Sequence, residues 1–285
     1  MTEPVTMRPP TPQAAAEFIG SSAHPIRITG AGTKAGIGRK FSTGSLVLST
    51  EQLTEVTYFE PTEFVLSAQA GVRLETLSQM LDEHALALPF AHPFTQGTLG
   101  GAIASNLGGG ERLELGAPRD NVLGMEYVNA RGELLKAGGR VMKNVTGLDI
   151  ARGLCGSWGR LALITEVSLK VVPKVRYDGI EQFEPAASQA SVLWRVSLPA
   201  GKAEQLSDGL SGINITSQWQ GRLLWLEGDE AAQDVHALAA SAGGHALRLR
   251  GEGKAFQPRS MGLKSVEARV EQAFGAEKFD SQYDD

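Results

Sequence analysis

Cysteine is nearly missing from this sequence of 285 residues, with Cys155 as the single example. One thiol cannot form an internal disulfide, hold an iron–sulfur cluster or complete a structural zinc site. Clusters of lysine and arginine are also missing, and the net charge of −5 offers no basic face for phosphates. We therefore expect a reducing, cytoplasmic setting and no nucleic-acid partner.

Long apolar runs are a second absence. None approaches the ~18 residues of a transmembrane helix, and the polar, proline-rich segment Met1–Pro12 lacks the apolar centre of a signal peptide. We expect a protein that reaches the inner membrane only peripherally, through partner proteins.

Glycine, by contrast, is abundant, with 34 residues where average usage of ~7% gives about 20. The glycines are bunched, which indicates particular loops rather than disorder. A chain of 285 residues with 42% hydrophobic residues is long enough for two modules with separate cores.

The pattern of short strands and helices predicts an α+β fold in two domains, residues 1–175 and 176–285. From Ser191 onward the order β-α-β-β-α-β indicates a small split-βαβ, ferredoxin-like module. A last helix is predicted over Leu263–Phe274, and the chain then ends in a polar, acidic tail, Asp280–Asp285. The segment Gln96–Gly110, with six glycines in fifteen residues, is predicted to be a loop.

A first glycine motif follows a predicted strand: Gly30-Ala31-Gly32-Thr33-Lys34. It does not fit the dinucleotide fingerprint G-x-G-x-x-G, because the third glycine is Gly36, one place late, and no helical periodicity follows. A tight glycine turn can instead point consecutive backbone N–H groups at one anion. By itself the motif is equally compatible with a plain turn.

Two further motifs follow along the chain. Thr98–Asn106 has only small residues wherever a side chain would obstruct a flat ligand, and the third motif combines Lys143–Ile150, Gly156–Leu161 and Ile164–Val167. Each motif alone could serve turns and tight packing, but the three occur in order within one segment.

Together these motifs resemble those of the vanillyl-alcohol-oxidase (PCMH-type) FAD-binding family. Within that family, Lys143–Gly147 and the short chain are similar to the E-type FAD-binding subunits of bacterial glycolate oxidases. The resemblance implies a domain of two α/β subdomains followed by a small cap domain. It also implies noncovalent FAD, because the first motif offers no histidine for a covalent link.

The resemblance carries over to individual residues. It implies that the pyrophosphate lies on the first motif, the isoalloxazine and ribityl along the second, and the adenosine half on the third, with one acidic residue holding the second motif. In that order the residues are Gly30, Ala31, Gly32, Thr33 and Lys34; Thr98, Gly100, Gly101, Ala104 and Asn106; Gly156, Ser157, Gly159 and Ile164; and Asp120.

The implied function is that of an FAD-binding subunit of a glycolate (2-hydroxyacid) oxidase or dehydrogenase complex. Its implied partners are a larger FAD-containing subunit and an iron–sulfur subunit. Catalytic relatives carry a His-x-Gly-Asp-Gly-Asn element that this sequence lacks, so neither a catalytic residue nor a metal site is identified. Two alternatives stay open: a catalytically idle assembly subunit, and a stand-alone oxidase of another small alcohol or hydroxyacid.

Two further residues near the motifs invite a functional interpretation. His92 precedes the second motif and could face the flavin, although an ordinary loop histidine is the preferred interpretation. Cys155 borders the third motif, and we interpret it as a small buried residue without a redox role.

Overall fold

The computed structural model describes residues 5–40, 42–140, 149–177, 180, 188–229 and 234–283. It confirms the expected α+β class. By contacts the chain divides into two compact units. The first comprises Met1–Thr33, Phe41–Ile180 and Ser265–Ser281, and the second comprises Lys34–Lys40, Glu181–Lys264 and Gln282–Asp285. The domain bounds given above stay a prediction.

The first unit begins with a small parallel sheet. Its elements are β1 (Thr6–Met7), α1 (Pro12–Ser21), β2 (Ile26–Thr29) and β3 (Leu46–Ser49). The strand order is β1-β3-β2, so β2 is an edge strand. Thr11 caps α1 by accepting a hydrogen bond from the Ala14 amide at 3.1 Å, and the helix buries Ala15, Ala16 and Ile19.

A five-stranded antiparallel sheet forms the rest of the first unit, in the order β4-β5-β9-β7-β8. The elements in chain order are β4 (Val56–Glu60), β5 (Val65–Gln69), α2 (Leu74–Asp82), β6 (Leu86–Ala87), α3 (Leu99–Ser105), α4 (Arg112–Leu115), β7 (Val122–Val128), β8 (Leu134–Gly138), α5 (Ile150–Leu154), β9 (Leu163–Lys170) and β10 (Val172–Pro173). Residues of α2, α3 and α5 share one hydrophobic core with the sheet, including Leu77, Ile103 and Leu154.

The prediction of a loop over Gln96–Gly110 is wrong for α3. Thr98 accepts a hydrogen bond from the Gly101 amide at 3.3 Å, and Asn106 ends the helix in the left-handed conformation at φ 51°. Both residues are standard cap types. The two glycines misled the prediction, because glycine costs about 1 kcal/mol relative to alanine inside a helix and α3 is held by packing instead.

The second unit contains a four-stranded antiparallel sheet with strand order β12-β13-β11-β14. This is the ferredoxin-like arrangement that the order of elements predicted. The elements are β11 (Val192–Ser197), α6 (Ala203–Ser207), β12 (Asn214–Gln218), β13 (Leu223–Gly228), α7 (Val235–Ser241) and β14 (His245–Arg250). Trp194, Leu226 and Ala239 lie in its core.

One further helix, α8 (Met261–Phe274), has Met261–Lys264 in the second unit and its remainder in the first. Its apolar residues Leu263, Val266 and Val270 are exposed. Among the described residues, no helix combines the length and apolar character needed to cross a bilayer.

The chain end contradicts the interpretation of Asp280 as the start of a polar tail. Phe279 forms a parallel bridge with Ile26 of β2, and the Asp280 amide donates to the Ile26 carbonyl at 2.9 Å. The Arg27 guanidinium donates to the carbonyls of Asp280 and Ser281, both at 2.9 Å, and lies 3.8 Å from the Asp280 carboxylate. Both side chains are almost fully buried, at 5% and 2% exposure.

Removing Arg27 tests this contact. We expect Arg27→Met to lower the free energy of unfolding by about 3 kcal/mol, because it leaves a buried carboxylate without its counter-charge. Arg8→Met is the matched control: the Arg8–Glu51 pair is exposed at 52% and 43%, so its loss should cost less than about 1 kcal/mol. Urea denaturation of both variants measures the difference, and equal midpoints would contradict the assignment.

Candidate functional site

The first glycine motif lies directly against the start of α3. A β-carbon on Gly30 would come within 2.4 Å of the Thr98 hydroxyl oxygen. Glycine is required there for packing, because real β-carbons do not approach that closely. Gly32 differs, since it has φ +73° and open space where its β-carbon would be. Gly32 is therefore the residue at which the turn exposes backbone.

The second motif is α3 with its caps. Gly100 packs on β5 so tightly that a β-carbon would lie 2.6 Å from that of Ala70, and its amide donates to the Ala70 carbonyl at 2.8 Å. Leu99, Ala102 and Ile103 are buried, whereas Gly101 and Ala104 are only partly buried. The more accessible side of α3 therefore carries only small residues.

The third motif is hydrogen-bonded to the other end of α3. The Gly156 amide donates to the Ile103 carbonyl at 3.1 Å, and the Trp158 amide donates to the Ala104 carbonyl at 2.9 Å. A β-carbon on Gly159 would lie 3.5 Å from Ile28 of β2. Gly30–Thr33 and Gly156–Gly159 thus both lie against α3 within the first unit.

Asn106 and Asp120 hold the end of α3. The Asn106 side-chain oxygen accepts from the Arg119 amide at 3.0 Å. The next residue, Asp120, accepts from the Ala117 amide at 2.9 Å. Asp120 therefore stabilises the turn that contacts Asn106.

Ser157 carries an unusual hydroxyl. Its oxygen is buried and has no hydrogen-bond partner among the residues that the structure describes. A buried hydroxyl without a partner costs about 1–3 kcal/mol, so such groups call for an explanation. A ligand that supplies an acceptor or donor at this position provides one.

Residues 11–138 match the family model of an FAD binding domain. This match over part of the chain supports the resemblance to the PCMH-type FAD-binding family. The match covers the first two glycine motifs and the strands and helix that connect them.

Curated relatives differ in how much of their length the chain covers. It is 28% identical to glycolate oxidase subunit GlcE of Escherichia coli (strain K12), over 88% of this chain and 90% of that protein. It is 30% identical to a D-lactate dehydrogenase of Archaeoglobus fulgidus over 79% of this chain, but spans only 54% of that relative. It is 33% identical to glycolate oxidase subunit GlcD of Bacillus subtilis (strain 168), over 53% of this chain and 32% of the relative.

The geometry of the first unit fits the FAD that this family binds. The open Gly32 turn, the small residues on the accessible side of α3 and the Ser157 hydroxyl belong to three motifs that contact one another. Each is a feature that a long phosphorylated ligand would use, through backbone N–H groups, flat stacking space and a hydroxyl.

Three parts of the site predicted from the sequence are not found as side chains next to α3. The side chain of Ile164 is buried in the core, opposite Tyr127 on β7, so only its backbone could face a ligand. Lys34 belongs to the second unit, and burial lowers the pKa of its ammonium to about 8. Lys143–Leu148 lies outside the described residues.

His92 has a structural role. Its Nδ1 accepts from the Phe94 amide at 3.1 Å, which makes Nε2 the N–H that faces the Ser105 hydroxyl at 3.0 Å. Ser105 in turn donates to the Gly101 carbonyl at 2.9 Å. The histidine therefore anchors the preceding segment to α3, in agreement with the preferred interpretation.

Residues near the chain end also support the site, and the sequence did not reveal them. Arg160 directly follows Gly159 of the third motif. Its guanidinium lies 2.6 Å from the carboxylate of Glu271 on α8. Asp280 and Ser281 hold β2, the strand that leads into the first motif. A polar residue in a C-terminal segment gives no sequence signal for such a contact.

Replacing Ser157 tests whether its hydroxyl serves the cofactor. Ser157→Ala should leave the FAD-free protein as stable as before, or slightly more stable, because an unsatisfied buried group is removed. FAD affinity should fall about two- to tenfold, the usual value of one hydrogen bond. Fluorescence titration with FAD measures the affinity.

Ser45 provides the matched control, because its hydroxyl is also buried without a partner among the described residues but lies outside the glycine motifs. Ser45→Ala should leave FAD affinity unchanged. Equal effects of the two substitutions would contradict the assignment of Ser157.

Cys155 should be unreactive in the folded protein. Burial raises the pKa of its thiol to about 12, and its Sγ contacts the Ala151 carbonyl at 3.3 Å. Because its pKa is raised, the Cys155 thiol stays protonated at pH 8. A free cysteine, with a pKa of ~8.5, is partly ionised to the reactive thiolate at the same pH. Reaction with a chromogenic disulfide at pH 8 should be slower than in denatured protein by about a hundredfold or more. Cys155 is only partly buried, which differs from the buried residue expected from the sequence. Comparable rates would overturn the assignment of an inert thiol.

Proposed function

We propose that this chain is the FAD-binding subunit of a complex that oxidises glycolate or a similar 2-hydroxyacid. The class shared by its named relatives is that of an FAD-linked oxidoreductase acting on a CH–OH group, as in glycolate oxidase subunits and D-lactate dehydrogenase. The observation that carries the proposal is the contact of the first and third motifs with α3, beside a Ser157 hydroxyl that has no partner among the described residues.

In this proposal FAD is bound noncovalently, with its pyrophosphate on the backbone of Gly30–Thr33. The isoalloxazine and ribityl follow the small residues of α3, and the adenosine half reaches Gly156–Gly159 and the backbone of Ile164. Lys34 is the last residue of the first motif, and its assignment to the pyrophosphate rests on the family resemblance. The glycine backbone supports this placement, because N–H groups bind phosphate without a side chain.

Bound FAD would supply the two-electron acceptor for oxidation of the substrate's α-carbon and hydroxyl. The residues of this chain hold the cofactor: Thr98 fixes the first turn of α3, while Asn106 fixes its end through Arg119. A catalytic base is not assigned, because His92 is used internally.

The partners in this proposal are a larger FAD-containing subunit and an iron–sulfur subunit that carries electrons onward. Two relatives are named as subunits of glycolate oxidase, which supports an assembly of several chains. The single cysteine supports a separate iron–sulfur protein, since a cluster needs several cysteine ligands.

Flavin content and glycolate bleaching test the proposal. The purified chain, or the apoprotein reconstituted with FAD, should be yellow, and acid should release all of its flavin because no covalent link is present. Anaerobic glycolate should bleach the bound flavin in one turnover when the partner subunits are present. A colourless protein that FAD cannot reconstitute would contradict the proposal.

The lack of a His-x-Gly-Asp-Gly-Asn element favours one alternative, a catalytically idle assembly subunit of the same complex. Bleaching by glycolate distinguishes the catalytic subunit from the idle one if the absorbance of the flavin on this chain is measured separately from that of the partner's flavin. For that purpose the FAD of this chain is replaced by a spectrally distinct analogue before assembly. Bleaching of the analogue supports the catalytic proposal, and retention of its colour while the complex turns over identifies the idle subunit.

A further inference from the structure

The second unit contains a pocket of about 590 Å³ beside α7 and β14. We call it the α7 pocket, and the residues important here are Trp194, Asp234, His236, Arg248, Lys254 and Gln257. Its volume lies within the ~300–1,000 Å³ typical of small-molecule sites. All six residues lie in one unit, and none belongs to the three glycine motifs.

Trp194, one of the residues that line this pocket, carries a buried indole donor. Its side chain is 4% exposed, and its indole N–H is buried with no acceptor among the residues that the structure describes. Indole nitrogen can only donate, so the group requires an acceptor such as a ligand oxygen. Buried donors in folded proteins nearly always have one.

Arg248 brings a buried positive charge to the same lining. Its side chain is 7% exposed, and its guanidinium carbon lies 5.4 Å from the centre of the Trp194 ring. The guanidinium donates to the Glu252 carbonyl, which fixes its position. Arginine in a fixed plane is the side chain best suited to carboxylates, which it binds through two parallel hydrogen bonds.

His236 and Gln257 form a hydrogen-bonded part of the lining next to Trp194. The His236 ring meets Trp194 edge-on at 4.8 Å, and its Nδ1 lies 3.2 Å from the Gln257 side-chain oxygen. That oxygen also accepts from the Ala246 amide at 3.0 Å, and the Gln257 amide nitrogen donates to the His236 carbonyl at 3.0 Å. The pocket is therefore preformed, as small-molecule sites usually are.

The charge at the rim limits the ligand to one negative charge. Lys254 adds a cation, but Asp234 and Glu252 bring two carboxylates to the same lining. The Asp234 carboxylate accepts from the Ala237 amide at 3.0 Å, so it stays at the rim as a helix cap. A polyanion would meet these acids, whereas a monocarboxylate can place its one charge on Arg248.

We propose that the α7 pocket is a binding site for a small organic monocarboxylate. The carboxylate pairs with Arg248 and accepts the Trp194 N–H, and the carbon body of the ligand lies along Val235 and Ala240 of α7. The proposal concerns the second unit alone and does not depend on the flavin chemistry proposed above.

Nuclear magnetic resonance of the full chain tests this site. The chain has four tryptophans, and the indole N–H signal of Trp194 is assigned by its loss in Trp194→Phe. Addition of acetate, glycolate or benzoate should shift that signal and the α7 amides to saturation. The signals of Trp158, Trp219 and Trp225 should stay unchanged. Sodium chloride at the same ionic strength should shift nothing.

Substitutions give the second arm. Arg248→Met should weaken binding about tenfold or more, because a charge-assisted hydrogen-bonded pair is lost. Arg222→Met, at an exposed arginine outside the pocket, should leave the affinity unchanged. Trp194→Phe keeps an aromatic ring at this position but removes the N–H together with part of the indole. The affinity of this variant for the carboxylate, measured from the shifts of the α7 amide signals, should fall several-fold. The test therefore does not depend on whether Arg248→Met folds.

The site is refuted by any of three results: no saturable shift at about 50 mM of every probe, equal shifts with chloride, or unchanged affinity in folded Arg248→Met.

Discussion

The position of β2 is the constraint on which the rest of the first unit depends, and a buried contact with the chain end fixes it. β2 has four residues and lies at the edge of a three-stranded sheet. Arg27 on β2 is held by Asp280 and Ser281, which lie 253 and 254 residues away. The carboxylate of Asp280 also accepts from the amide and hydroxyl of Ser42, both at 3.0 Å. The strand that leads into Gly30 is therefore fixed from the other end of the chain.

Next to that strand, α3, which is the second glycine motif, contacts both the first and the third. The glycines of these motifs have different roles. Gly30 and Gly100 permit close packing, against Thr98 and Ala70, whereas Gly32 provides a left-handed turn over open space. A glycine-rich sequence thus has two physical causes within one site. Only the second cause points to a ligand. Together with the Ser157 hydroxyl, which has no partner in the described part of the chain, it supports the placement of FAD.

Local patterns predicted much of this fold. The helix predicted over Leu263–Phe274 is present as α8, and the order of elements predicted the ferredoxin-like sheet of the second unit. Prediction failed where tertiary contacts override local signals. Packing on Ala70 makes α3 helical despite its glycines, and Asp280 is buried because Arg27 faces it. The sequence could not show that the Ser157 hydroxyl lacks a partner among the described residues, since that depends on every neighbour in space.

The most direct test of the account is hydrogen–deuterium exchange with and without FAD. Binding should slow amide exchange in residues 30–33, in 98–106 and in 156–160 together, because one ligand spans all three motifs. Exchange in the β12–β13 hairpin of the second unit should serve as an unchanged reference. Protection of only one motif, or of none at an FAD concentration that saturates binding, would contradict the claim that the three form a single cofactor site.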